Sequence, residues 1–211
     1  MTLPADFEPD LEQWNAWSPE EVTRVLAPVE APWYVAAGWA IELFLGGEYR
    51  EHDDLEIAVP RDRFHEIVEA LAGFELFVVG APRHGLVSPL EEARDALDAT
   101  HQTWVREPES GRWRLDIMRE PSDGDVWICR RDERIRLPYD EVIERTPDSI
   151  PYGRPEIVLL FKAKHARAKD DADLAATLPL LGAERRRWLA DALAVVHPGH
   201  RWLTSLTGSS F

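Results

Sequence analysis

Asp54 and Glu56, in the segment Asp53-Asp54-Leu55-Glu56-Ile57-Ala58-Val59, stand two residues apart. On a strand running from Asp54 to Val59 both carboxylates point to one face, and Leu55, Ile57 and Val59 point to the other, where they can be buried. Neighbouring anions repel, so a stable protein pairs them or sets a cation between them; a divalent metal ion is the natural candidate. Just upstream, Ala37-Gly38-Trp39-Ala40-Ile41-Glu42-Leu43-Phe44-Leu45-Gly46 reads as a turn and a short helix, and Arg50-Glu51-His52 as a charged approach to the strand. Gly38 lets the backbone come close to an anionic group, and the helix that follows offers free N–H groups and the positive end of its dipole.

This arrangement resembles the nucleotidyltransferase superfamily, in the branch of aminoglycoside and lincosamide nucleotidyltransferases. That branch carries Gly-Gly-Trp, an acid three positions on, then Arg-x-His-x-Asp-x-Asp entering a strand. Gly38, Trp39, Gly46, Arg50, His52 and Asp54 match; Ala37 replaces the first Gly, Glu42 is the helix acid, and Glu56 replaces the last Asp. Several matches at fixed offsets within about twenty residues are a far more specific signal than an isolated Asp-x-Asp.

The resemblance implies in-line attack of an acceptor on the α-phosphorus of a nucleoside triphosphate, with two magnesium ions holding the attacking and leaving oxygens. It makes Asp54 and Glu56 metal ligands, and Asp116 in Trp113-Arg114-Leu115-Asp116-Ile117-Met118 the third acid, as ligand or base. Asp116 is flanked by apolar residues on a predicted strand, where an unpartnered carboxylate is costly. The same resemblance puts Gly38, Trp39 and Arg50 at the nucleotide, with the Trp39 ring read as packing. His52 orients Asp54 or caps the turn. Glu42 is either a supporting hydrogen-bond acceptor or a solvated helix position. One lysine of Phe161-Lys162-Ala163-Lys164-His165-Ala166-Arg167-Ala168-Lys169 grips the triphosphate, Lys162 and Lys164 being the candidates; the competing reading is cations neutralising a helix C-terminus.

Other chemistries find less support. No Gly-x-x-x-x-Gly-Lys-Ser/Thr loop is present, Ser88 lacks a Gly-x-Ser-x-Gly context, and His197-Pro198-Gly199-His200 offers two histidines with no third zinc ligand. Arg130-Arg131-Asp132-Glu133 reads as a solvated hairpin tip. Nine tryptophans are many for 211 residues; most are expected in the core, some against a sugar or nucleobase. With 24 basic against 39 acidic residues, the formal charge of −15 disfavours unspecific binding to nucleic acid or anionic membranes, and suits either a cationic substrate or simple solubility. Cys129 is the single cysteine, no apolar run reaches membrane-spanning length, and the start of the chain lacks a basic signal-peptide region, so a cytoplasmic protein is expected.

The elements that must position these residues form an α/β (α+β) fold: a nucleotidyltransferase-like mixed sheet flanked by helices over 1–150, then a helical subdomain over 151–211. Ser18-Pro19-Glu20-Glu21 starts a helix ending before Pro28, and Trp33–Ala36 is a short strand. A helix opens at Pro60-Arg61-Asp62 with Phe64, Ile67, Val68 and Leu71 as its apolar stripe, followed by a strand over Phe74–Val79, a turn-rich loop over Pro82–Gly85 and a short helix within Pro89–Leu97. Hairpins are predicted from Thr103–Glu107 with Trp113–Met118, and from Val126–Cys129 with Arg134–Leu137. Helices follow over Pro155–His165, Asp170–Leu181 and Glu184–Val196, then a frayed tail over Leu206–Phe211.

Two functions stay open at this point. One is a magnesium-dependent transferase moving a nucleoside monophosphate, AMP by expectation, to a small hydroxylated acceptor, an aminoglycoside-like antibiotic being the first expectation, seated between the two parts. The other is a catalytically weak or silent nucleotide-binding or toxin–antitoxin-type protein of the same fold, favoured by Ala37 and Glu56. Oligomeric state is not fixed by the sequence.

Overall fold

The computed structural model describes residues 10–47, 50–81 and 85–207. Its elements in chain order are α1 (Pro19–Val25), β1 (Tyr34–Val35), α2 (Ala37–Leu45), β2 (Glu56–Pro60), α3 (Phe64–Ala70), β3 (Glu75–Ala81), β4 (Gly85–Pro89), β5 (Gln102–Arg106), β6 (Trp113–Glu120), β7 (Ser122–Asp123), β8 (Val126–Ile128), β9 (Arg136–Pro138), β10 (Ile143–Arg145), β11 (Pro151–Gly153), α4 (Pro155–Lys162), α5 (Ala168–Thr177), α6 (Ala183–Val196) and α7 (Trp202–Thr207). This is the mixed α/β architecture expected. Eight strands form one sheet in the order β10-β11-β1-β2-β6-β5-β3-β4, and β7-β8-β9 form a separate meander.

β2 lies at the centre of the large sheet, antiparallel to β1 and parallel to β6. Its apolar alternation explains this place: Leu55, Ile57 and Val59 are fully buried and Ala58 nearly so, a two-sided burial that only an interior strand provides. On β6, Leu115 and Ile117 fill the same side, which also carries Arg119, whose guanidinium lies 5.5 Å from the Phe64 ring of α3. The opposite side of β6 carries Asp116, Met118 and Glu120. β1 joins β2 to β11, with Val35 opposite Tyr152, so chain from beyond residue 150 enters the main sheet.

Local signals account for most boundaries. Ser18 forms a capping box with Glu21 at the start of α1. Gly46 closes α2 in the left-handed conformation, φ 76°. Both predicted hairpins form.

Elsewhere the prediction needs correction. Asp54 precedes β2 rather than lying on it. Within Pro89–Leu97 only a 3₁₀ turn at Arg94–Ala96 forms, because Pro89 ends β4. The helix over Pro155–His165 stops at Lys162, and a break through Ala166 (φ 41°) precedes α5, so Lys162 and Lys169 sit on different helices. Leu206 and Thr207 belong to α7 rather than to a tail, and Gly208–Phe211 lie outside the described residues. Pro82–His84 of the expected loop also lie outside them, and Gly85 opens β4. Helix α4 packs against α2, α5 and α6. One continuous hydrophobic core runs from Val35 and Ile57 of the sheet to Leu159, Leu189 and Leu193 of the helices. Among the described residues, no helix is long and apolar enough to cross a membrane.

Candidate active site

A cavity of about 320 Å³ opens between β1, β2 and β6 on one side and α4 with the start of α5 on the other. Its floor is the polar side of β2 and β6: Glu56, Ala58, Met118 and Glu120. One end takes in the N-terminus of α2 at Ala36, Ala37 and Gly38, where no side chain caps the helix. Six cations line the walls, Arg50, Arg130, Arg131, Lys162, Arg167 and Lys169, a concentration of positive charge in a chain of net −15.

The three acids occupy different settings. Glu56 and Asp116 are direct partners across the parallel β2–β6 pair, so their side chains share one side of the sheet. Burial, and then the charge of Asp54, pushes the Glu56 carboxyl up to about 7, against the pull of Lys162 and Arg130. Asp116 is 4% exposed; burial and then Glu56 raise it well above the ordinary aspartate range, although Gln102 donates to its Oδ2 at 2.5 Å. Its Oδ1 is buried with no hydrogen-bond partner of normal geometry, and the Trp104 indole, opposite on β5, pulls the carboxyl down as Gln102 does. Asp54 is exposed at the cavity mouth. Among the described residues, no three acidic, histidine or cysteine side chains stand close enough to cage a metal on their own. The donors are nevertheless hard oxygens with one acceptor orphaned. That suits magnesium, which binds through one or two carboxylates and completes its shell with phosphate and water.

The segment from Arg50 to His52 is locked onto α2. Glu42, 4% exposed, accepts from the Arg50 backbone N–H at 2.7 Å and from His52 Nε2–H at 2.9 Å. His52 therefore serves Glu42, not Asp54, and its ring stacks on Trp39 with centroids 4.6 Å apart. Burial lowers the His52 pKa despite the Glu42 hydrogen bond, which favours neutral imidazole. Gly38 lies directly beneath: a Cβ there would overlap Arg50 Nη2 and stand 2.5 Å from His52 Cε1. Its lack of a side chain is thus used first by these two residues. Ala37, at the position of the family's first glycine, holds φ 50°, a left-handed conformation unfavourable for any residue with a Cβ.

The two candidate lysines part company. Lys162 lines the cavity and pairs with Asp173 at 2.8 Å and Asp170 at 3.5 Å, two fully buried carboxylates on α5. Asp173 also meets Arg50 Nε at 3.5 Å, so one buried acid ties the α2–β2 segment to the helices. Lys164 is exposed and outside the cavity wall.

The pair read as a solvated hairpin tip is turned inward instead. Arg130 and Arg131 lie 4.8 and 5.0 Å from the Phe161 ring centroid, and Arg131 donates to the Phe161 carbonyl at 2.9 Å. Sequence reasoning also passed over Glu120, a 4% exposed carboxylate on the cavity floor. Its place two register positions beyond Met118, on the same side as Asp116, was the available signal.

A second groove, of about 650 Å³, shares His52 and Asp53 with the cavity and is walled by Trp14, Trp17 and Trp39 with Glu12 and Glu21. Trp113 and Trp127, by contrast, are fully buried.

Comparison with known proteins follows the same lines. The family model of aminoglycoside-2''-adenylyltransferase matches residues 20–81, which contain the whole Gly38–Glu56 segment. Among solved structures, ANT(2'')-Ia in complex with adenylyl-2''-tobramycin aligns with a TM-score of 0.54 at 16% identity, over 83% of this chain and 94% of that one. This chain has a nucleotidyltransferase fold. The nucleotidyltransferase fold is found again in the solution structure of the antibiotic-resistance factor ANT(2'')-Ia (TM-score 0.51, 14% identity, 83% and 89% covered). It recurs in the lincomycin-bound lincosamide antibiotic adenylyltransferase LnuA (TM-score 0.50, 18% identity, 77% and 97% covered). The resemblance to the aminoglycoside and lincosamide branch therefore holds. No curated protein sequence gives a significant match.

Proposed function

We propose that the protein is a magnesium-dependent adenylyltransferase, moving AMP from ATP to a small hydroxylated acceptor of the aminoglycoside or lincosamide kind. The observation that carries this is Glu56, on the floor of a cavity whose walls hold six cations, paired in register with the buried Asp116 of the neighbouring strand. Oxygen donors and cations side by side suit a triphosphate held with its counter-ion. The adenylyltransferase family match and neighbours support the choice of chemistry.

In this reading Glu56, with Asp54 at the mouth and Asp116 beside it, would hold magnesium through one or two carboxylates at a time, phosphate and water completing its shell, and the ion would supply charge neutralisation at the reacting phosphate. Asp116 is the proposed acceptor of the attacking hydroxyl's proton, a role it can take only in its ionised form, which a bound cation would favour. The uncapped N–H groups at Ala37 and Gly38 receive phosphate oxygens. Arg50, beside Gly38, and Lys162, both held by Asp173, grip the same group. Lys164 has no part in it. The acceptor approaches from the groove beyond Asp53, where tryptophan faces and the carboxylates of Glu12, Glu21 and Asp53 suit a cationic sugar.

The test is a transfer screen with α-labelled ATP, magnesium and a panel of aminoglycosides and lincosamides, read by mass spectrometry of the acceptor. A product heavier by one adenylyl group is expected, and Asp54→Asn should abolish it. Undiminished transfer by Asp54→Asn would refute the ligand assignment. Binding of ATP with magnesium but no transfer to any acceptor would favour the silent-binder reading, to which Ala37 in its left-handed conformation lends weight.

A further inference from the structure

The cavity has two unlike ends. Around Gly38, Arg50 and Lys162 it is cationic; toward Glu120 its lining becomes Tyr34, Ala58, Met118, Ile157 and Phe161. Glu120 sits four residues beyond Asp116 on the same side of β6, roughly 13 Å along the strand. That span matches a nucleoside extending from a phosphate held at Glu56 and Asp116.

The two oxygens of Glu120 are not equivalent. Oε2 accepts from the Trp127 indole N–H and, at 3.4 Å, from the Tyr34 hydroxyl. Oε1 receives no hydrogen bond among the described residues; its nearest charge is Arg130 Nη1 at 3.7 Å. The carboxylate is thus anchored on one side and left with acceptor capacity on the other, inside a cavity wall. Arg130, whose guanidinium lies over Phe161, adds a flat cationic surface on which a base can stack.

We propose that Glu120 selects the nucleotide base, its Oε1 accepting a hydrogen bond from an exocyclic amino group such as that of adenine. The proposal rests on the reading of this cavity as a nucleotide site. Its chemistry makes a sharp prediction for Glu120→Gln. Trp127 and Tyr34 are both donors toward this side chain, so they demand the amide oxygen of a glutamine. The amide NH₂ is then turned to the cavity, and a site that accepts from an amino group becomes one that donates to a keto group.

The experiment is calorimetry with magnesium and four ligands, ATP, the 6-deamino analogue purine riboside triphosphate, ITP and CTP, on wild type and Glu120→Gln, with thermal unfolding as a folding check. Wild type should bind ATP about ten- to a hundredfold more tightly than the deamino analogue, the range for a hydrogen bond to a charged group. In Glu120→Gln the ATP-to-ITP preference should fall at least tenfold or invert. An equal loss for all four ligands would mean that Glu120 only supports the wall, and would overturn the proposal. So would wild type that binds ATP and its deamino analogue alike. Wild type that binds none of the four would bring down the nucleotide site itself, a result distinct from either.

Discussion

Glu56 and Asp116 stand opposite each other on adjacent parallel strands, with the Glu56 carboxyl pushed up to about 7 and Asp116 raised well above the ordinary aspartate range by burial and by Glu56 itself. On the proposed reading, a proton and a divalent cation would compete for Glu56 below pH 7. The folded pKa lies above the ordinary glutamate value. Glu56 therefore binds its proton more tightly folded than unfolded, and its contribution to stability falls as pH rises from about 4.5 to 7. Magnesium should offset that loss. The expected outcome is a half-saturating magnesium concentration that rises up to about tenfold per pH unit below 7 and levels off above it. A magnesium titration of thermal stability from pH 5.5 to 8.5 reads this directly, and a requirement independent of pH would contradict it.

Gly38→Ala should destabilise by about 1–3 kcal/mol, because the new methyl displaces Arg50 and His52 and disturbs the Trp39 stack. Transfer should fall with it, since Arg50 loses its place. Gly47→Ala, with open space around it, is the control and should stay within about 0.5 kcal/mol in urea unfolding.

Ala37→Gly should stabilise. Relief of the left-handed φ of 50° is worth about 1–2 kcal/mol, and greater freedom of the unfolded chain takes back about 0.4–1. A rise of about 1–4 °C in Tm is expected for a chain of this length. A fall in Tm would show that the Ala37 methyl makes contacts that outweigh its backbone strain.

Asp173→Asn strips the charge that holds both Lys162 and Arg50, and should cost about 3–5 kcal/mol, as for other broken buried pairs. Because Asp173 is fully buried, added salt should change that figure little. Lys162→Ala should raise the KM for ATP more than tenfold, whereas Lys164→Ala, outside the cavity, should leave it unchanged. Equal effects of the two lysine changes would argue against the wall geometry.

The sequence carried the architecture where pattern and punctuation agree. The alternation through Leu55, Ile57 and Val59, the Ser18 cap, the Gly46 stop and the hairpin of Thr103–Glu107 with Trp113–Met118 are each written in a short local stretch. It could not show Asp54 leaving the strand, since an exposed acid before a buried Leu55 reads the same in either setting. The inward turn of Arg130 and Arg131 depends on Phe161, thirty residues on, and no local pattern signals it. The partner of His52 was missed for a similar reason. Glu42 is ten residues upstream, on a helix whose packing, not its spacing, brings it back to the approach segment. Glu120 needed the register of β6 against β2 before its position on the cavity floor had meaning.

The pairing of Val35 with Tyr152 has a consequence for synthesis. On the ribosome, β1 emerges more than a hundred residues before the strand that covers its outer edge, and α2 waits longer still for α4 and α5. Until residue 153 and the helices after it have left the exit tunnel, the Gly38–Glu56 segment has no finished surroundings. The nascent chain then carries an open sheet edge, a state that invites wrong partners and calls for chaperone shielding. Maturation of the site is thus timed by the last third of the polypeptide, not by the stretch that holds its acids.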